Sequence, residues 1–206
     1  MTMAVSYKIA LPSVKKWEGG LAYFKNEGQW TNRGIQYSTY LAIGPLLKLS
    51  APLNETNFKK MPLSDWEKFV EWYWNKATYN NSIKNGDSAL MMFQAYWGSG
   101  GLGIKAMQRA LNNNFKSNLA VDGGVGPATV GVINKFGTKV PLVLWTAIEN
   151  YYKSLAATNP ADYGGSLKGW LNRLADIKPK QILDITLVVL IATTIALEIY
   201  SKNAKL

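Results

Sequence analysis

The spacing of apolar positions along the chain predicts a succession of helices. Val5, Ile9, Val14 and Trp17 recur at helical spacing over residues 4–18, where Pro12 kinks or restarts the segment. Residues 19–35 lose that period. Gly19, Gly20, Asn26, Gly28, Asn32 and Gly34 are turn formers, so this stretch reads as a loop. Tyr40, Ile43 and Leu47 restore the period over 36–49, interrupted by Gly44-Pro45, and residues 54–62 form a polar connection. Ser64-Asp65-Trp66-Glu67 is a capping box, with Ser64 as N-cap. Behind it Trp66, Phe69, Val70, Tyr73, Trp74 and Ala77 fall on one helical face, a core stripe rather than a sugar platform.

Asp87 is placed to cap a helix over Ser88–Trp97 that Gly98-Ser99-Gly100-Gly101 ends. Ile104, Met107, Ala110 and Leu111 then make an amphipathic helix. Pro127 sits at the first position of a helix to Phe136, closed by Gly137. A longer helix runs over 141–157 until Asn159-Pro160 breaks it, and Gly169 to Leu174 is the last globular piece. No strand pattern and no internal repeat is apparent. The fold class is therefore all-α, or mainly α.

After Lys178-Pro179-Lys180 the pattern changes, because apolar residues now cover every side of a helix. Ile182 to Tyr200 gives 19 residues, with Asp184 and Glu198 near the ends, against roughly 20 for a bilayer span. Residues 182–200 are expected to anchor the chain in a membrane; the alternative is a hydrophobic helix docked on the domain or on another subunit. The N-terminus carries no apolar stretch long enough for a signal peptide. Three regions follow: a first lobe at 1–100, a second helical lobe packed on it at 101–177, and the tail at 178–206.

Hydrophobic residues make up 48% of the 206 and charged ones 17%, enough for a packed core. The formal net charge of +10 favours polyanions such as nucleic acid, anionic lipid or an anionic cell wall. No Lys/Arg run exceeds two residues and no nucleic-acid motif is present, so the charge is diffuse steering without a specific nucleic-acid partner. The chain contains neither cysteine nor histidine. That excludes disulfides, Cys nucleophiles, Cys/His zinc sites and His-based triads. Hydrolytic chemistry then rests on carboxylates, hydroxyls, Lys or Tyr, with no metal and no cofactor expected.

The stretch Val14-Lys15-Lys16-Trp17-Glu18-Gly19-Gly20 places one carboxylate at the end of an apolar-periodic segment, beside an indole and before a Gly-Gly turn. Burial against an aromatic raises the pKa of a carboxyl, as a general acid for glycoside cleavage requires. The same residues also describe a helix C-terminus with a solvated glutamate and a glycine cap.

Several motifs share one order with a known family. Glu18-Gly19-Gly20 is followed by Thr31-Asn32-Arg33-Gly34-Ile35. Further on come Met107-Gln108-Arg109-Ala110-Leu111, then Asp122-Gly123-Gly124-Val125-Gly126-Pro127-Ala128-Thr129, then Gly169-Trp170-Leu171-Asn172-Arg173. In these the chain resembles the glycoside hydrolase family 108 peptidoglycan muramidases of phages and prophages, including their peptidoglycan-binding type second module.

The resemblance implies a lysozyme-like helical fold, Glu18 as general acid, and bacterial peptidoglycan as partner and substrate. Its loop before Thr-Asn is shorter here, and Glu27 is the one carboxylate left in it, a candidate base or charge stabiliser. Trp17, Thr31, Asn32, Tyr96 and Asp122 are candidate substrate residues. For Thr31 and Asn32 the competing role is loop capping; for Asp122 it is shaping the glycine-rich bend, the stronger of its two readings.

Two other functions stay open: a lytic transglycosylase giving anhydro-muramic products, and a non-catalytic wall-binding or structural virion protein. The expected setting is a phage virion, with or without an internal membrane, or the host inner membrane, with phage structural proteins as further partners.

Overall fold

Helix α1 (Leu11–Trp17) follows a single 3-10 turn at Tyr7–Ile9. Pro12 lies in the first turn of α1, where its missing N–H would have had no partner, so it starts the helix rather than kinking it. The computed structural model describes residues 5–25 and 27–179. The membrane anchor expected at 182–200 lies outside these residues. Among the described residues no helix is long and apolar enough to cross a membrane.

The segment expected to be a loop is a three-stranded antiparallel sheet. Strands β1 (Leu21–Phe24), β2 (Gln29–Asn32) and β3 (Ile35–Gln36) pair in the order β1-β2-β3, with Thr31 opposite Ala22 on one side and Gln36 on the other. Gly28 lies between β1 and β2 and Gly34 between β2 and β3, whereas Asn32 is itself the last residue of β2. Arg33 and Gly34 join β2 to β3 with φ of 48° and 81°, the paired positive values that a tight two-residue hairpin requires.

The rest is helical, as the periodicity predicts. Helices α2 (Tyr37–Leu47), α3 (Glu55–Lys59) and α4 (Leu63–Thr78) follow the sheet. Pro45 is accommodated inside α2, and α3 forms within the expected polar connection, capped by Asn54. Helix α4 begins one residue before the expected Ser64 cap, with Pro62 at the N-cap and no side-chain cap. Asp65, in the first turn, instead accepts from the Ser50 backbone N–H at 3.0 Å and hydroxyl at 2.6 Å, tying the preceding loop to the helix. The aromatic stripe is core, with Trp66, Phe69, Val70, Trp74 and Ala77 fully buried.

Helix α5 (Gly86–Phe115) is capped by Asn85 rather than Asp87: the Asn85 carboxamide oxygen accepts from the Ser88 N–H at 2.8 Å. It also continues through the four residues expected to end it. Gly100 (φ 53°, ψ −140°) breaks the helical geometry within it, so the glycine cluster redirects the chain without stopping it. Helix α6 runs Pro127–Phe136 with Gly137 at its C-cap, and α7 runs Val140–Thr158. A short α8 (Pro160–Tyr163) precedes α9 (Leu167–Asp176). One core joins α4, α5 and α7 through Trp74, Phe93, Met107, Leu144 and Ile148.

A clasp joins the two ends of the described chain. Asp176 on α9 accepts from Lys16 and from the Trp17 indole N–H, the latter at 2.7 Å. The hydrogen bonds from Lys16 and Trp17 hold the Asp176 carboxyl below its usual 3.8. A carboxylate depressed in the folded state stabilises it above the unfolded pKa and loses that contribution as pH falls through the folded value. Thermal melts should therefore show a midpoint that declines below about pH 4, and Asp176→Asn should flatten that decline. Identical slopes would mean that the clasp contributes nothing.

Candidate active site

Glu18 is the C-cap of α1. Its N–H still bonds to the Val14 carbonyl at 2.9 Å, but its φ of −82° and ψ of 122° turn the chain outward. A rigid helix thus sets the direction of a side chain that lies at the edge of the sheet. Two donors from distant elements converge on Oε1. The Trp97 indole Nε1 on α5 donates from 2.8 Å, and Arg173 Nη1 on α9 forms an ion pair at 2.9 Å. The Glu18 and Arg173 side chains are 12% and 21% exposed, so the pair is sheltered yet not sealed.

Oε2 makes no hydrogen bond among the described residues and lies against Gly34. A Cβ built on Gly34 would stand 2.6 Å from Oε2 and 3.0 Å from Trp97 Cζ2. The hairpin backbone therefore approaches the carboxyl as closely as it does because that residue has no side chain.

Aromatic packing fixes Trp97. Tyr73 meets it edge-on at a centroid distance of 4.9 Å, Phe93 lies at 5.6 Å, and Tyr96 packs on Tyr73 at 5.8 Å. Burial pushes the Tyr73 phenol up. Burial also pushes Tyr152 on α7 up to about 12, against the opposing effect of the nearby Arg173. Both phenols stay neutral at ordinary pH.

The residues expected to form the site separate into two groups. Glu18 is at its centre. Its aromatic neighbour is Trp97 rather than Trp17, and it contacts by N–H donation rather than by apolar burial. Trp17 gives its indole N–H to the Asp176 clasp. Glu27 is exposed at the β1–β2 turn, where Oε2 accepts from Gln36 Nε2 at 3.0 Å. Gln36 pairs with Thr31, and the Thr31 hydroxyl is buried with no hydrogen-bond partner among the described residues. Asn32 is 3% exposed and donates to the Phe58 carbonyl at 2.7 Å, which makes it a brace between β2 and α3. Tyr96 is half-buried beside Tyr73. Asp122 accepts from Gln108 at 2.9 Å and from the Gly124 N–H at 2.8 Å, so it shapes the glycine-rich bend. Those two hydrogen bonds hold its carboxyl below its usual value.

Sequence reasoning gave Arg173 no part in the site. The one available signal was its place in the Gly169–Arg173 motif. Trp97 was read only as the last residue of the Ser88–Trp97 helix.

A cleft of about 390 Å³ opens beside Glu18, walled by Val14, Lys15, Arg33, Leu63 and Trp66. Glu18 is the one carboxylate in its lining. With Oε1 occupied by two donors, Oε2 is the oxygen free of hydrogen bonds among the described residues. Among the described residues no cluster of three potential ligands is placed to hold a metal ion.

Residues 102–175 match the model of a family described as a predicted peptidoglycan domain. The match starts two residues after the Gly100 break and includes Arg173. No curated protein matches the chain. Among solved structures, SagA from Brucella abortus superposes with a TM-score of 0.59 at 18% identity, over 86% of this chain and 98% of that one. At that identity the likeness is one of fold. The family match makes this a peptidoglycan-related protein, with peptidoglycan as the partner that it supports.

Proposed function

We propose that the protein is a peptidoglycan-cleaving glycosidase with Glu18 as its general acid, in keeping with the resemblance to family 108 muramidases. The observation that carries this is the Glu18 carboxyl itself, held at one oxygen by Trp97 and Arg173 and left unbonded at the other, beside a cleft. In the reaction the Oε2 proton passes to the glycosidic oxygen as the bond to the anomeric carbon breaks. The resulting carboxylate is stabilised by the two donors already on Oε1. An oxocarbenium-like centre then takes a water, whose proton leaves to a base. Glu27, linked through Gln36 to the strand position opposite Thr31, is the proposed second carboxylate.

Glu27→Gln should then slow wall lysis on the order of 10²-fold. Turbidity clearing of purified walls measures this, and a loss under about threefold removes Glu27 from the mechanism.

One observation favours a second reaction. Glu18 is the lone carboxylate lining the cleft, as suffices for a lytic transglycosylase. There a hydroxyl of the muramic acid residue replaces water and returns its proton to Glu18. Its products are lighter by one water, so product masses separate the two reactions. Carriage by a phage particle and membrane attachment through residues 182–200 belong to the same proposal and rest on the sequence alone. So does the division into a catalytic lobe at 1–100 and a second lobe at 101–177.

A further inference from the structure

We infer that the groove between α5 and α7 holds the peptide stem of peptidoglycan, with Arg109 and Lys139 gripping its carboxylates. The inference rests on the proposal that the wall is the substrate, and it assigns the stem a place of its own, apart from the glycan cleft. The groove has a volume of about 620 Å³ and lies wholly within the segment matched to the peptidoglycan family. Its floor is apolar, with Ala106, Ala110 and Ala147 half-buried beside Leu142, Val143 and Tyr151. Its rim is polar and exposed, with Asn113 and Asn150 beside the two cations.

No carboxylate lines the groove. Among the described residues neither Arg109 nor Lys139 makes an ion pair, so both charges are open to a ligand. Two unpaired cations over an apolar floor suit a ligand with small side chains and at least two negative charges. Amide side chains on the rim add donors and acceptors for a peptide backbone.

Length agrees with this chemistry. From Ala106 to Asn114 the helix rises about 12 Å. An extended peptide covers about 3.3–3.6 Å per residue, so three or four residues fit along the groove. Peptidoglycan stems are short, alanine-rich and carboxylate-bearing, and their methyl groups match the alanine floor. Consecutive residues of α7 connect the two places: Tyr152 is buried near Arg173 and Glu18, while Tyr151 lines the groove.

Calorimetric titration of the full chain tests this with a synthetic stem tetrapeptide (L-Ala, γ-D-Glu, meso-diaminopimelate, D-Ala) in its free-acid and fully amidated forms. The free acid should bind, and the amidated peptide should bind about tenfold or more weakly. The double variant R109Q/K139Q, checked by circular dichroism, should lose affinity for the free acid by a similar factor. Equal affinity for the two peptides overturns the inference and needs no variant to fold. So does binding of a poly(glycerol phosphate) through the same two cations with no binding of the peptide, which would make the groove a general polyanion surface. Peptide binding is read without glycan cleavage. A chain that binds the stem but releases no glycan fragments would therefore sink the proposed reaction and leave the groove assignment standing.

Discussion

Glu18→Gln should yield a folded protein that still associates with walls but lyses them on the order of 10²–10⁴-fold more slowly. The carboxamide keeps an oxygen where Oε1 accepts from Trp97 and Arg173, so the local geometry survives. What it loses is an oxygen at the other position that can take up a proton and hand it on. Arg173 loses its counter-charge, and a hydrogen bond to a charged group contributes about 1.5–3 kcal/mol. Because both side chains keep some exposure, solvent screening reduces that cost, and a destabilisation of about 1 kcal/mol is expected. Turbidity clearing gives the rate and a thermal melt gives the stability. Near wild-type lysis would remove Glu18 from the reaction. A variant that is inactive because it is unfolded would show in the melt, and Glu18→Asp then offers a second route, retaining the charge but withdrawing the carboxyl by one methylene.

Gly34→Ala should be the next most damaging change, although Gly34 supplies no functional group. Its φ of 81° disfavours any side chain, and the new Cβ would fall 2.6 Å from Glu18 Oε2. The backbone strain costs about 1 kcal/mol. The contact is relieved most readily by swinging the flexible end of Glu18 aside, which pulls Oε1 off Trp97 and Arg173. A misplacement of about 1 Å at a reacting group can cost 10²-fold in rate. The expected result is a loss of that order in turnover with most of the stability retained. A variant as active as wild type would show that the carboxyl has room the structure does not give it, and the case for a poised Oε2 would weaken.

What the sequence revealed follows the range of the signals. Helix α6 is legible end to end because Pro127 and Gly137 mark its termini locally. The stripe on α4 is legible because a period of 3.6 survives whatever packs against it. The sheet is not, since β1 is exposed throughout and its four residues, Leu21 to Phe24, show no alternation. Gly28 and Gly34, which read as loop formers, sit in the turns between strands. The Ser64 capping box misleads for a similar reason: a neighbouring proline starts the helix, and the carboxylate of Asp65 is drawn to Ser50. In the site, Glu18 is visible because helix end, indole and glycine pair are adjacent in sequence. Its partners Trp97 and Arg173 lie on α5 and α9, and only the fold brings them to one oxygen. The indole of Trp17, next to Glu18 in the chain, goes instead to Asp176.

The central claim is that the chain cuts the glycan backbone using Glu18. The measurement that tests it most directly is mass spectrometry of the soluble fragments released from purified peptidoglycan by the full chain, beside Glu18→Gln. The account predicts disaccharide-peptide fragments ending in muramic acid, hydrated if water is the acceptor or lighter by one water if the ring closes on itself, and almost none from the variant. Intact glycan strands with severed peptides, or the same fragments from Glu18→Gln at the wild-type rate, would contradict it.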